Sequence, residues 1–297
     1  MEKLPLAPLV SIIIPSKNRG KLLNRSVKSA AMQDYNNLEI IIVDDGSTPA
    51  VSELEMKSIS DSCEIIVIKN ELSQGGAKAR NIGIAACKGE YVCFLDDDDI
   101  YLPQKISTLY NELKNNPTYD VVFGKTLLND GKRKRFPVIY PKVFDVDLNF
   151  QLGNYIHTSA TLIKRHVLAK ILFNESLPKY QDTQFHLEIA QKYKILFVDS
   201  CVSEWSVDDR ADQITANNTS EKKYNSYLAF IKLKNYLKYD LMVEKHHLAY
   251  FDYYCAVLKI RAKQKKKYSS LIMLIINPIT LCRTIRIILT RNKYFIR

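Results

Sequence analysis

The sequence of 297 residues lacks the cysteine patterns that mark metal sites and redox sites. It contains six cysteines but no Cys-x-x-Cys pair, and no histidine stands at a spacing from them that suits zinc. Several of the cysteines lie inside apolar runs, which favours buried, reduced thiols in a cytosolic protein. No basic stretch followed by an apolar stretch and a cleavage site opens the chain, so we predict no export signal.

Two phosphate-binding glycine motifs are also absent from this sequence, which has nine glycines in total. Neither a Gly-x-x-x-x-Gly-Lys-Ser/Thr loop nor a Gly-x-Gly-x-x-Gly segment after the first predicted strand occurs. These absences disfavour a P-loop nucleoside triphosphatase and an ordinary dinucleotide dehydrogenase.

Acidic residues are missing from the last 45 residues, where eleven lysines and arginines occur. The rest of the chain carries 32 basic and 32 acidic residues, so the whole excess charge of +11 lies in this tail. We therefore expect the tail to meet an anionic partner. A nucleic acid is disfavoured, because the basic residues alternate with aliphatic stretches and not with aromatic stacking platforms.

A run of about twelve apolar residues, Leu271–Cys282, lies inside the tail and is shorter than the ~20 residues of a membrane-spanning helix. Pro278 interrupts the run, and the basic segment from Lys263 to Lys267 precedes it. We predict an interfacial helix on the anionic inner leaflet, which would make the protein peripheral on the cytoplasmic face of the inner membrane. A helical cap on the domain and a homodimer interface are the alternatives.

Four consecutive aspartates, Asp96 to Asp99, follow the continuous apolar run Tyr91–Leu95. The run predicts a buried strand, and Pro103 suits the first turn of a following helix. The aspartates are therefore expected in a loop at the carboxyl end of a strand, where open α/β sheets bind ligands. Crowded carboxylates without neighbouring His or Cys favour Mg²⁺ or Mn²⁺ over zinc. A solvated acidic turn is the alternative interpretation.

Strands and helices alternate through the first half of the chain, which predicts a right-handed, parallel α/β sheet of nucleotide-binding type. The second half is less regular, and after residue 212 the pattern is wholly helical. The predicted strands are 9–15, 39–43, 64–68, 91–95, 119–124, 135–140, 158–163 and 194–198. The predicted helices are 21–33, Ser47 (as its cap) to about 60, 76–87, 165–172, 182–191, 220–239, 243–259 and a last one from about 269.

Two acidic clusters, Asp44-Asp45 and Asp96 to Asp99, follow strands that are predicted to be parallel. The carboxyl ends of such strands lie at one edge of a sheet, so the clusters are expected to converge. A phosphate-rich ligand that carries a divalent cation needs this arrangement, with one cluster at the metal and the other at a base or ribose.

Four motifs then occur in order: Pro15–Arg19 (PSKNR), Val43–Ser47 (VDDGS), Gly76–Gly83 (GAKARNIG) and Leu95–Asp99 (LDDDD). Together they resemble the family-2 inverting glycosyltransferases over roughly residues 8–210. The resemblance implies a mainly parallel, Rossmann-like nucleotide-sugar transferase sheet flanked by helices, with a helical C-terminal appendage. It also implies a transferase domain at 1–215, with a nucleotide-sugar-binding half at 8–124 and an acceptor half at 125–215, before a helical basic region at 216–297.

The resemblance assigns roles to the motif residues. Asp98 is the main metal ligand, Asp96 contacts the ribose or the metal, and the bound Mn²⁺ or Mg²⁺ stabilises the leaving nucleoside diphosphate. Asp44 contacts the uracil ring, whereas Asp45 either binds the nucleotide sugar or only holds its turn. The implied nucleotide-sugar-binding residues are Pro15, Ser16, Asn18, Arg19, Asp44, Asp45, Gly76, Arg80, Asp96 and Asp97.

Inverting transfer needs a general base that deprotonates the acceptor hydroxyl. The family carries this carboxylate in a Glu-Asp-like motif at a helix start, and Gln181-Asp182 matches it, with glutamine where glutamate is commoner. Asp182 is therefore the candidate base, and a helix cap is the alternative.

Two weaker candidates, His157 and Trp205, are assigned to the acceptor side. His157 lies near the region where the family forms its acceptor pocket, although a lone histidine often has a structural role. Trp205 belongs to a segment that resembles the family's mobile loop over the nucleotide, where relatives often have a histidine and this chain has Glu204 and Trp205. Trp205 either stacks on a sugar face or is a core aromatic.

The resemblance implies a metal-dependent glycosyltransferase that forms a β-glycosidic bond from a UDP-sugar. The implied acceptor is a saccharide, such as a polyprenyl-diphosphate-linked intermediate of O-antigen, capsule or lipopolysaccharide synthesis. A sugar nucleotidyltransferase and a non-catalytic sugar-binding protein at the membrane surface are the alternatives.

Overall fold

The computed structural model describes residues 7–136, 156–206 and 219–243, the backbone of residues 145–146, and the single residues 248, 251, 252 and 255. In this part of the chain, one mixed sheet of ten strands is flanked by helices. The strands are β1 (Val10–Ser16), β2 (Leu38–Asp44), β3 (Glu64–Lys69), β4 (Tyr91–Phe94), β5 (Ile100–Tyr101), β6 (Val121–Asn129), β7 (Lys134–Arg135), β8 (Asp145–Val146), β9 (Thr161–Lys164) and β10 (Ile195–Ser206). The helices are α1 (Gly20–Ala31), α2 (Glu53–Lys57), α3 (Gly76–Ala86), α4 (Lys105–Asn115), α5 (Arg165–Leu168), α6 (Gln181–Lys192) and α7 (Ser220–Tyr239), with a 3-10 turn at Thr158–Ala160.

The first four strands form a parallel half-sheet in the order β3-β2-β1-β4. β1 and β2 are buried along nearly their whole length, as expected for central strands with helices on both faces. Both are rich in isoleucine, whose branched side chain packs well on a pleated surface. α3 lies close to β1 at Gly83, where an added Cβ would stand 2.3 Å from Ile13 Cγ2. The predicted parallel α/β half is confirmed.

The second half of the sheet adds antiparallel strands. β9 runs antiparallel between β4 and β6, while β10 runs parallel to β6 with an irregularity between Phe197 and Ser203. β5 follows directly after the four aspartates and pairs antiparallel with Ser203 and Glu204 of β10. This pairing holds the acidic loop beside the end of β10, where Trp205 and Ser206 lie.

Apolar clusters fill both faces of the sheet. Leu23, Ile106 and Leu109 of α1 and α4 pack on one face, and Phe185 and Ile189 of α6 pack with α3 on the other. Full burial of each such side chain stabilises the fold by about 1.5–3 kcal/mol. The result is a rigid platform from which the loops at the carboxyl edge project.

The helix predicted to begin at Ser47 is wrong in its start and its length. It is the five-residue α2, capped by Ser52, whose Oγ accepts a hydrogen bond from the Glu55 amide at 3.3 Å. Residues 46–51 remain a loop because Gly46 has a φ of +73° and the Asp44 carboxylate binds backbone amides further along the loop.

Three other predicted boundaries are also wrong. Pro103 stands before α4 and not in its first turn, because β5 intervenes after the aspartates. The strand predicted from residue 158 begins at Thr161, after the 3-10 turn. The helix predicted to reach residue 172 ends at Leu168. Beyond it, Leu172 is exposed between the buried Ile171 and Phe173, and this alternation of buried and exposed side chains is typical of an extended backbone.

The predicted helix at 220–239 is confirmed as α7. Its Phe230, Leu233 and Leu237 form a separate apolar cluster with Leu177 and Leu187 of the α6 region. The segment 271–282, the helix predicted from 269 and most of 135–140 and 243–259 lie outside the described residues. No helix among those that are described is long and apolar enough to cross a membrane.

Candidate active site

The ends of three parallel strands are joined by Ser16, the last residue of β1. Its carbonyl oxygen accepts a hydrogen bond from the Asp45 amide at 2.8 Å, and its hydroxyl donates to Asp97 Oδ2 at 2.8 Å. The two predicted acidic segments therefore lie side by side at one edge of the sheet, with the partly buried Pro15 next to this junction.

The carboxylates of Asp44 and Asp45 point into their own loops. Asp44 accepts from the amides of Ser47 at 3.0 Å and Val51 at 2.7 Å. Asp45 accepts four hydrogen bonds from the loop at 70–75, through Asn70, Ser73, Gln74 and Gly75. Burial alone would raise the pKa of Asp45, but these donors lower it below its ordinary value.

Asn18 joins the loops after β1 and β2. Its amide donates to Ser47 Oγ at 2.8 Å, and its side-chain oxygen accepts from the Thr48 amide at 2.7 Å. Asn18 has a φ of +56°, a left-handed conformation that asparagine tolerates better than most residues. Together with Asp44 and Asp45, it fixes the rim at which a base or ribose is expected.

Arg19 links two of the four aspartates. Its Nη1 lies 2.9 Å from Asp97 Oδ1 and 3.0 Å from Asp98 Oδ2. Burial raises the pKa of Asp97 despite this guanidinium and the Ser16 hydroxyl, because the carboxylate is only 5% exposed. Asp98 is partly exposed at the rim.

Two residues of α1 that the motifs do not include support the backbone of the acidic loop. Arg25 Nη2 donates to the Asp98 carbonyl at 2.5 Å, and Ser26 Oγ lies 2.9 and 2.6 Å from the carbonyls of Asp97 and Asp99. Ser26 interrupts the buried stripe of α1 with a polar side chain, which is the sequence signal that would have revealed it.

Asp96 forms an ion pair with Arg80 of α3, at 2.5 Å from its Oδ1 to Nη2. The guanidinium lies over the Phe173 ring, with 5.3 Å between Cζ and the ring centroid. Burial would raise the pKa of Asp96, but the charge of Arg80 lowers it, and Asp96 in turn raises the pKa of Arg80 against the effect of burial. Asp96 Oδ2 has no hydrogen-bond partner among the described residues, and one third of the side chain is exposed.

Gly76 lies close to both Arg80 and the start of α6. A Cβ at this position would stand 3.1 Å from Arg80 Nη1 and 3.8 Å from Gln181 Oε1. The first turn of α3, which belongs to the nucleotide-side motif, therefore approaches the helix that carries the candidate base.

Asp99 is buried behind the other three aspartates. Its Oδ2 accepts from Ser159 Oγ at 2.6 Å and lies 3.6 Å from His157 Nδ1. Burial, together with the charges of Asp96 and Asp98, raises the pKa of Asp99 well above its ordinary value.

Asp182 is the second residue of α6 and is exposed. Tyr180 occupies the cap position without a side-chain capping bond, whereas Asp182 Oδ1 accepts a hydrogen bond from the Thr183 amide at 2.8 Å, as the capping alternative expects of a carboxylate in the first turn. Burial lowers the pKa of His157, and the charges of Asp96 and Asp182 oppose this effect; the pKa of Arg80 is raised, because Asp96 and, less strongly, Asp182 outweigh burial. Asp182 follows Gln181, which lies with Arg80 around Gly76, so the start of α6 adjoins the Asp96–Arg80 pair.

The residues of the acceptor-side prediction separate into two groups. His157 and Trp205 lie together, with 5.3 Å between their ring centroids. Glu204 instead accepts hydrogen bonds from Asn129 Nδ2 and Lys134 Nζ, each at 2.7 Å, and is buried. These two contacts account for both oxygens of Glu204, which is therefore bound to the β6–β7 hairpin.

His186 is a residue near the site that the sequence interpretation missed. It lies one helical turn after Asp182 on α6, is 1% exposed, and neither ring nitrogen has a hydrogen-bond partner within the described residues. Burial lowers the pKa of His186 to about 3, with smaller effects from His157 and Arg80. The sequence signal for this residue is its spacing, because residues four apart, such as Asp182 and His186, lie on the same face of a helix.

The donor set at the rim fits a hard cation. Among the described residues no group of three or more His, Cys, Asp or Glu is arranged to hold a metal ion. Mg²⁺ and similar ions, however, commonly take one or two carboxylates and complete their shell with substrate phosphates. Asp96, one third of whose side chain is exposed, and the neighbouring, partly exposed Asp98 are carboxylates suited to form such a pair.

The sheet order and the acidic loop at its carboxyl edge are those of a GT-A-like glycosyltransferase fold. Residues 1–349 of S. aureus TarS in complex with UDP-GlcNAc align with a TM-score of 0.61 at 18% identity, over 86% of this chain and 82% of that fragment. The mannosyltransferase PcManGT from Pyrobaculum calidifontis, in complex with GDP-Man and Mn²⁺, aligns with a TM-score of 0.57 at 14% identity, over 99% and 91%. At these identities the likeness shows the fold.

The family follows from the sequence comparison. The model of Glycosyl transferase family 2 matches residues 11–172, more than half of the chain, and the chain belongs to this family. It is therefore a glycosyltransferase, and the resemblance inferred from the four motifs is confirmed.

Two bacterial relatives illustrate the range of similarity. The Escherichia coli glycosyl transferase WcaA, named for colanic acid biosynthesis, is 28% identical over 254 residues, which are 81% of this chain and 86% of WcaA. GlyG of Streptococcus pneumoniae is 38% identical over 180 residues, 57% of this chain and 60% of GlyG. The chain thus spans most of one relative and well under two thirds of the other.

Proposed function

We propose that this glycosyltransferase moves a sugar from a UDP-sugar to a saccharide acceptor, with inversion at the anomeric carbon and with Mn²⁺ or Mg²⁺ as cofactor. One observation carries the proposal. The exposed Asp182 lies at the start of α6, and this helix start adjoins the Asp96–Arg80 ion pair around Gly76, so a candidate base and a cationic group lie at the same edge of the sheet.

The donor side consists of the acidic loop and the rim beside it. Arg80 forms an ion pair with Asp96 through Oδ1, while Asn18, Asp44 and Asp45 fix loops at the end of β1 and β2. The TarS complexes with UDP and UDP-GlcNAc support a uridine donor, and the GDP-Man complex of PcManGT makes guanosine the alternative to test.

Asp96 and Asp98 would hold the metal ion. When bound, the cation acts as a Lewis acid that stabilises the negative charge on the departing diphosphate. Arg19 contacts Asp97 and Asp98 and thereby orients the loop, and Arg80 keeps Asp96 ionised through its charge.

Asp182 acts as the general base. The acceptor oxygen forms its bond to the anomeric carbon while the bond from that carbon to the diphosphate oxygen breaks. The hydroxyl proton passes to the Asp182 carboxylate, and the electron pair of the broken bond leaves with the nucleoside diphosphate. A single displacement inverts the configuration, so an α-linked donor gives a β-glycosidic product.

The acceptor we propose is a lipid-linked saccharide of surface-polysaccharide assembly, such as a polyprenyl-diphosphate intermediate. The similarity to WcaA, which is named for colanic acid biosynthesis, supports the polysaccharide class. The basic tail supports a lipid-linked acceptor, because eleven basic residues without an acid would hold the enzyme at an anionic leaflet.

A donor panel tests this proposal. UDP-glucose, UDP-galactose, UDP-GlcNAc and GDP-mannose, each with and without Mn²⁺, should be compared for thermal stabilisation of the protein. We expect at least one UDP-sugar to stabilise the wild-type protein in a Mn²⁺-dependent manner, and Asp98→Ala to abolish that dependence. Stabilisation by GDP-mannose alone would replace the uridine assignment, and a UDP-sugar that stabilised Asp98→Ala with unchanged Mn²⁺ dependence would remove the metal assignment.

A further inference from the structure

His157 has a defined backbone position just before β9, the strand between β4 and β6 in the sheet. It immediately precedes the 3-10 turn that leads into β9, and its carbonyl oxygen accepts from the Ala160 amide at 2.9 Å. This bond closes the turn, so the backbone that carries the imidazole is held by the same turn that presents Ser159 to Asp99.

The imidazole ring is held on two sides. The Trp205 ring lies against it with 5.3 Å between centroids and 32° between the planes. Nδ1 is buried and points to Asp99, 3.6 Å from Oδ2, while Ser159 holds that carboxyl oxygen at 2.6 Å. Nδ1 forms no hydrogen bond within the described residues, so the contact with Trp205 and the burial of this edge are what restrict the ring.

The opposite edge of the ring is accessible. The side chain of His157 is 23% exposed although its Nδ1 is buried, so the exposed part belongs to the rest of the ring, which includes Nε2. No side-chain hydrogen bond joins Nε2 to any of the described residues. His157 therefore presents one hydrogen-bonding atom to the site.

The position of His157 relative to the leaving diphosphate and the attacking hydroxyl indicates which part of the substrate it contacts. His157 lies beside the acidic loop, because its Nδ1 is 3.6 Å from Asp99 Oδ2 and Ser159, two residues further along, accepts a hydrogen bond from the Asp96 amide at 3.2 Å. The charge of Asp182 also acts on its imidazole, which agrees with a position between the acidic loop and α6. In a direct displacement, the transferred sugar lies between the leaving diphosphate and the attacking hydroxyl. If the diphosphate is held at Asp96 and the hydroxyl at Asp182, the group beside His157 is the transferred sugar.

We infer that His157 is a specificity-determining residue for the donor sugar, whose hydroxyl group it binds through Nε2, with the Trp205–His157 pair as one wall of the sugar subsite. Asp99 and Ser159 act through His157 as positioning residues. The inference rests on the proposed function, and it assigns His157 and Trp205 to the transferred sugar and not to the acceptor.

The expected effect follows from the loss of a single hydrogen bond between protein and sugar. Removal of such a bond in a site built around it weakens binding by about tenfold, and more when a buried partner is left unpaired. The nucleotide itself makes no contact with His157 in this arrangement. Substitution of His157 should therefore weaken the binding of the UDP-sugar and leave the binding of UDP unchanged.

Trp205 is the only tryptophan in the chain, so its fluorescence reports on this subsite directly. The full-length protein is titrated with UDP and with the UDP-sugar that stabilises it best, both in the presence of Mn²⁺. In the wild-type protein we expect the UDP-sugar to change Trp205 fluorescence more than UDP does. In His157→Ala, we expect unchanged UDP affinity and about tenfold weaker UDP-sugar affinity.

Two further variants make the result interpretable. His157→Gln keeps a hydrogen-bonding side chain and should recover part of the lost UDP-sugar affinity, which a purely structural role would not predict. His166→Ala is the matched control, because His166 also lies beside a carboxylate, 3.2 Å from Asp120, but on α5 outside the site. It should leave both affinities unchanged.

Several outcomes would overturn the inference. Equal weakening of UDP and UDP-sugar in His157→Ala and His157→Gln would indicate a nucleotide or folding role, and unchanged UDP-sugar affinity would exclude a sugar contact. A rise in the KM for the acceptor with unchanged donor affinity would return His157 to the acceptor side while the proposed function stood. If the wild-type protein bound none of the nucleotides, the proposed function itself would fail, and the inference with it.

Discussion

The four consecutive aspartates differ in their partners and in their exposure. Asp96 is paired with Arg80 and is one third exposed, and Asp98 is shared with Arg19 at the rim. Asp97 and Asp99 are buried, and burial raises the pKa of both. One residue type in one loop therefore supplies two partly exposed carboxylates, which we propose as the metal ligands, and two buried carboxyl groups.

At the residue scale, the base assignment makes the sharpest prediction. Asp182→Asn keeps the size of the side chain but cannot accept the hydroxyl proton, so transfer should slow by roughly 10²–10⁴-fold. Donor affinity should stay near the wild-type value, because in the proposed mechanism Asp182 meets the acceptor hydroxyl and not the nucleotide. Turnover is measured by release of nucleoside diphosphate, and affinity by titration with UDP.

The matched variant for this test is Gln181→Ala, which removes the neighbouring side chain of the same motif. Gln181 donates to the Leu177 carbonyl at 2.7 Å and so has a structural contact. A loss of turnover in Gln181→Ala as large as in Asp182→Asn would show that the start of α6, and not one carboxylate, is what the reaction needs.

His186 gives a prediction on stability against pH. Its folded-state pKa of about 3 lies below the ordinary 6.5, so the unfolded chain binds a proton that the folded protein excludes. Stability due to the neutral imidazole is complete above pH 6.5 and is lost as pH falls from 6.5 towards 3, by up to about 1.4 kcal/mol per pH unit. His186→Leu should flatten this acid limb in urea unfolding between pH 7 and pH 5.

At pH 8 the same variant should be at least as stable as the wild-type protein. Leucine leaves no buried polar nitrogen without a partner, and removal of an unsatisfied buried group is neutral or favourable. Parallel stability curves for the two proteins across this pH range would show that His186 is paired in solution and would contradict the prediction.

At the scale of elements, the sequence predicted the parallel half-sheet well and its loops poorly. Continuous runs of isoleucine are sufficient to identify buried strands, because a strand that is covered on both faces carries apolar side chains at successive positions. The loop from Gly46 to Val51 was mistaken for a helix start, since its conformation depends on Asp44 bonds and on contacts with Asn18 from another loop. Such contacts between distant segments are not visible in local patterns.

The same limit applies to the candidate site. The motifs brought Asp96, Asp98 and Asp182 to one region, but motif matching carried no information on Ser159, Ser26 or His186, which meet the site through packing. It also predicted a nucleotide contact for Asp45, whose four hydrogen bonds to the 70–75 loop agree with the structural alternative.

The contact of α3 with β1 leads to a prediction on packing. Gly83→Ala would place its Cβ 2.3 Å from Ile13 Cγ2, against a central strand that has no room to move. We expect a loss of about 1–3 kcal/mol in the free energy of unfolding, as overpacked cores show. Weaker UDP binding should accompany it, because α3 carries Arg80. Urea unfolding and UDP titration measure the two effects.

Gly20→Ala is the control, because a Cβ there meets nothing within 4 Å and Gly20 is also a helical glycine. Alanine in a helix is more favourable than glycine by up to about 1 kcal/mol, so this variant should be neutral or slightly more stable. If Gly83→Ala were as stable as Gly20→Ala, the close approach of α3 to β1 would be wrong.

At the scale of the whole molecule, the excess positive charge and the candidate active site lie in different parts of the sequence. The first 252 residues hold equal numbers of acidic and basic residues, and the excess of +11 lies in the remaining 45. A catalytic domain without net charge has little electrostatic attraction to a membrane surface, whereas a tail of eleven basic residues has a strong one. An enzyme whose acceptor is lipid-linked gains from this arrangement, because the tail brings the site to the substrate without altering it.

The tail therefore predicts reversible binding to anionic vesicles. Each basic residue near such a surface contributes about 1 kcal/mol, so the double variant Lys265→Gln and Lys266→Gln should weaken binding by about 30-fold at low salt. Lys222→Gln with Lys223→Gln removes the same charge from the first turn of α7 and should change binding much less.

Cosedimentation with vesicles of phosphatidylglycerol and phosphatidylcholine, at 50 and 300 mM salt, measures the binding of both double variants. Because screening weakens exposed charges, wild-type binding should fall at high salt. Equal losses in the two double variants would mean that the whole net charge acts and the tail has no special role, and binding that salt does not weaken would point to an apolar contact instead.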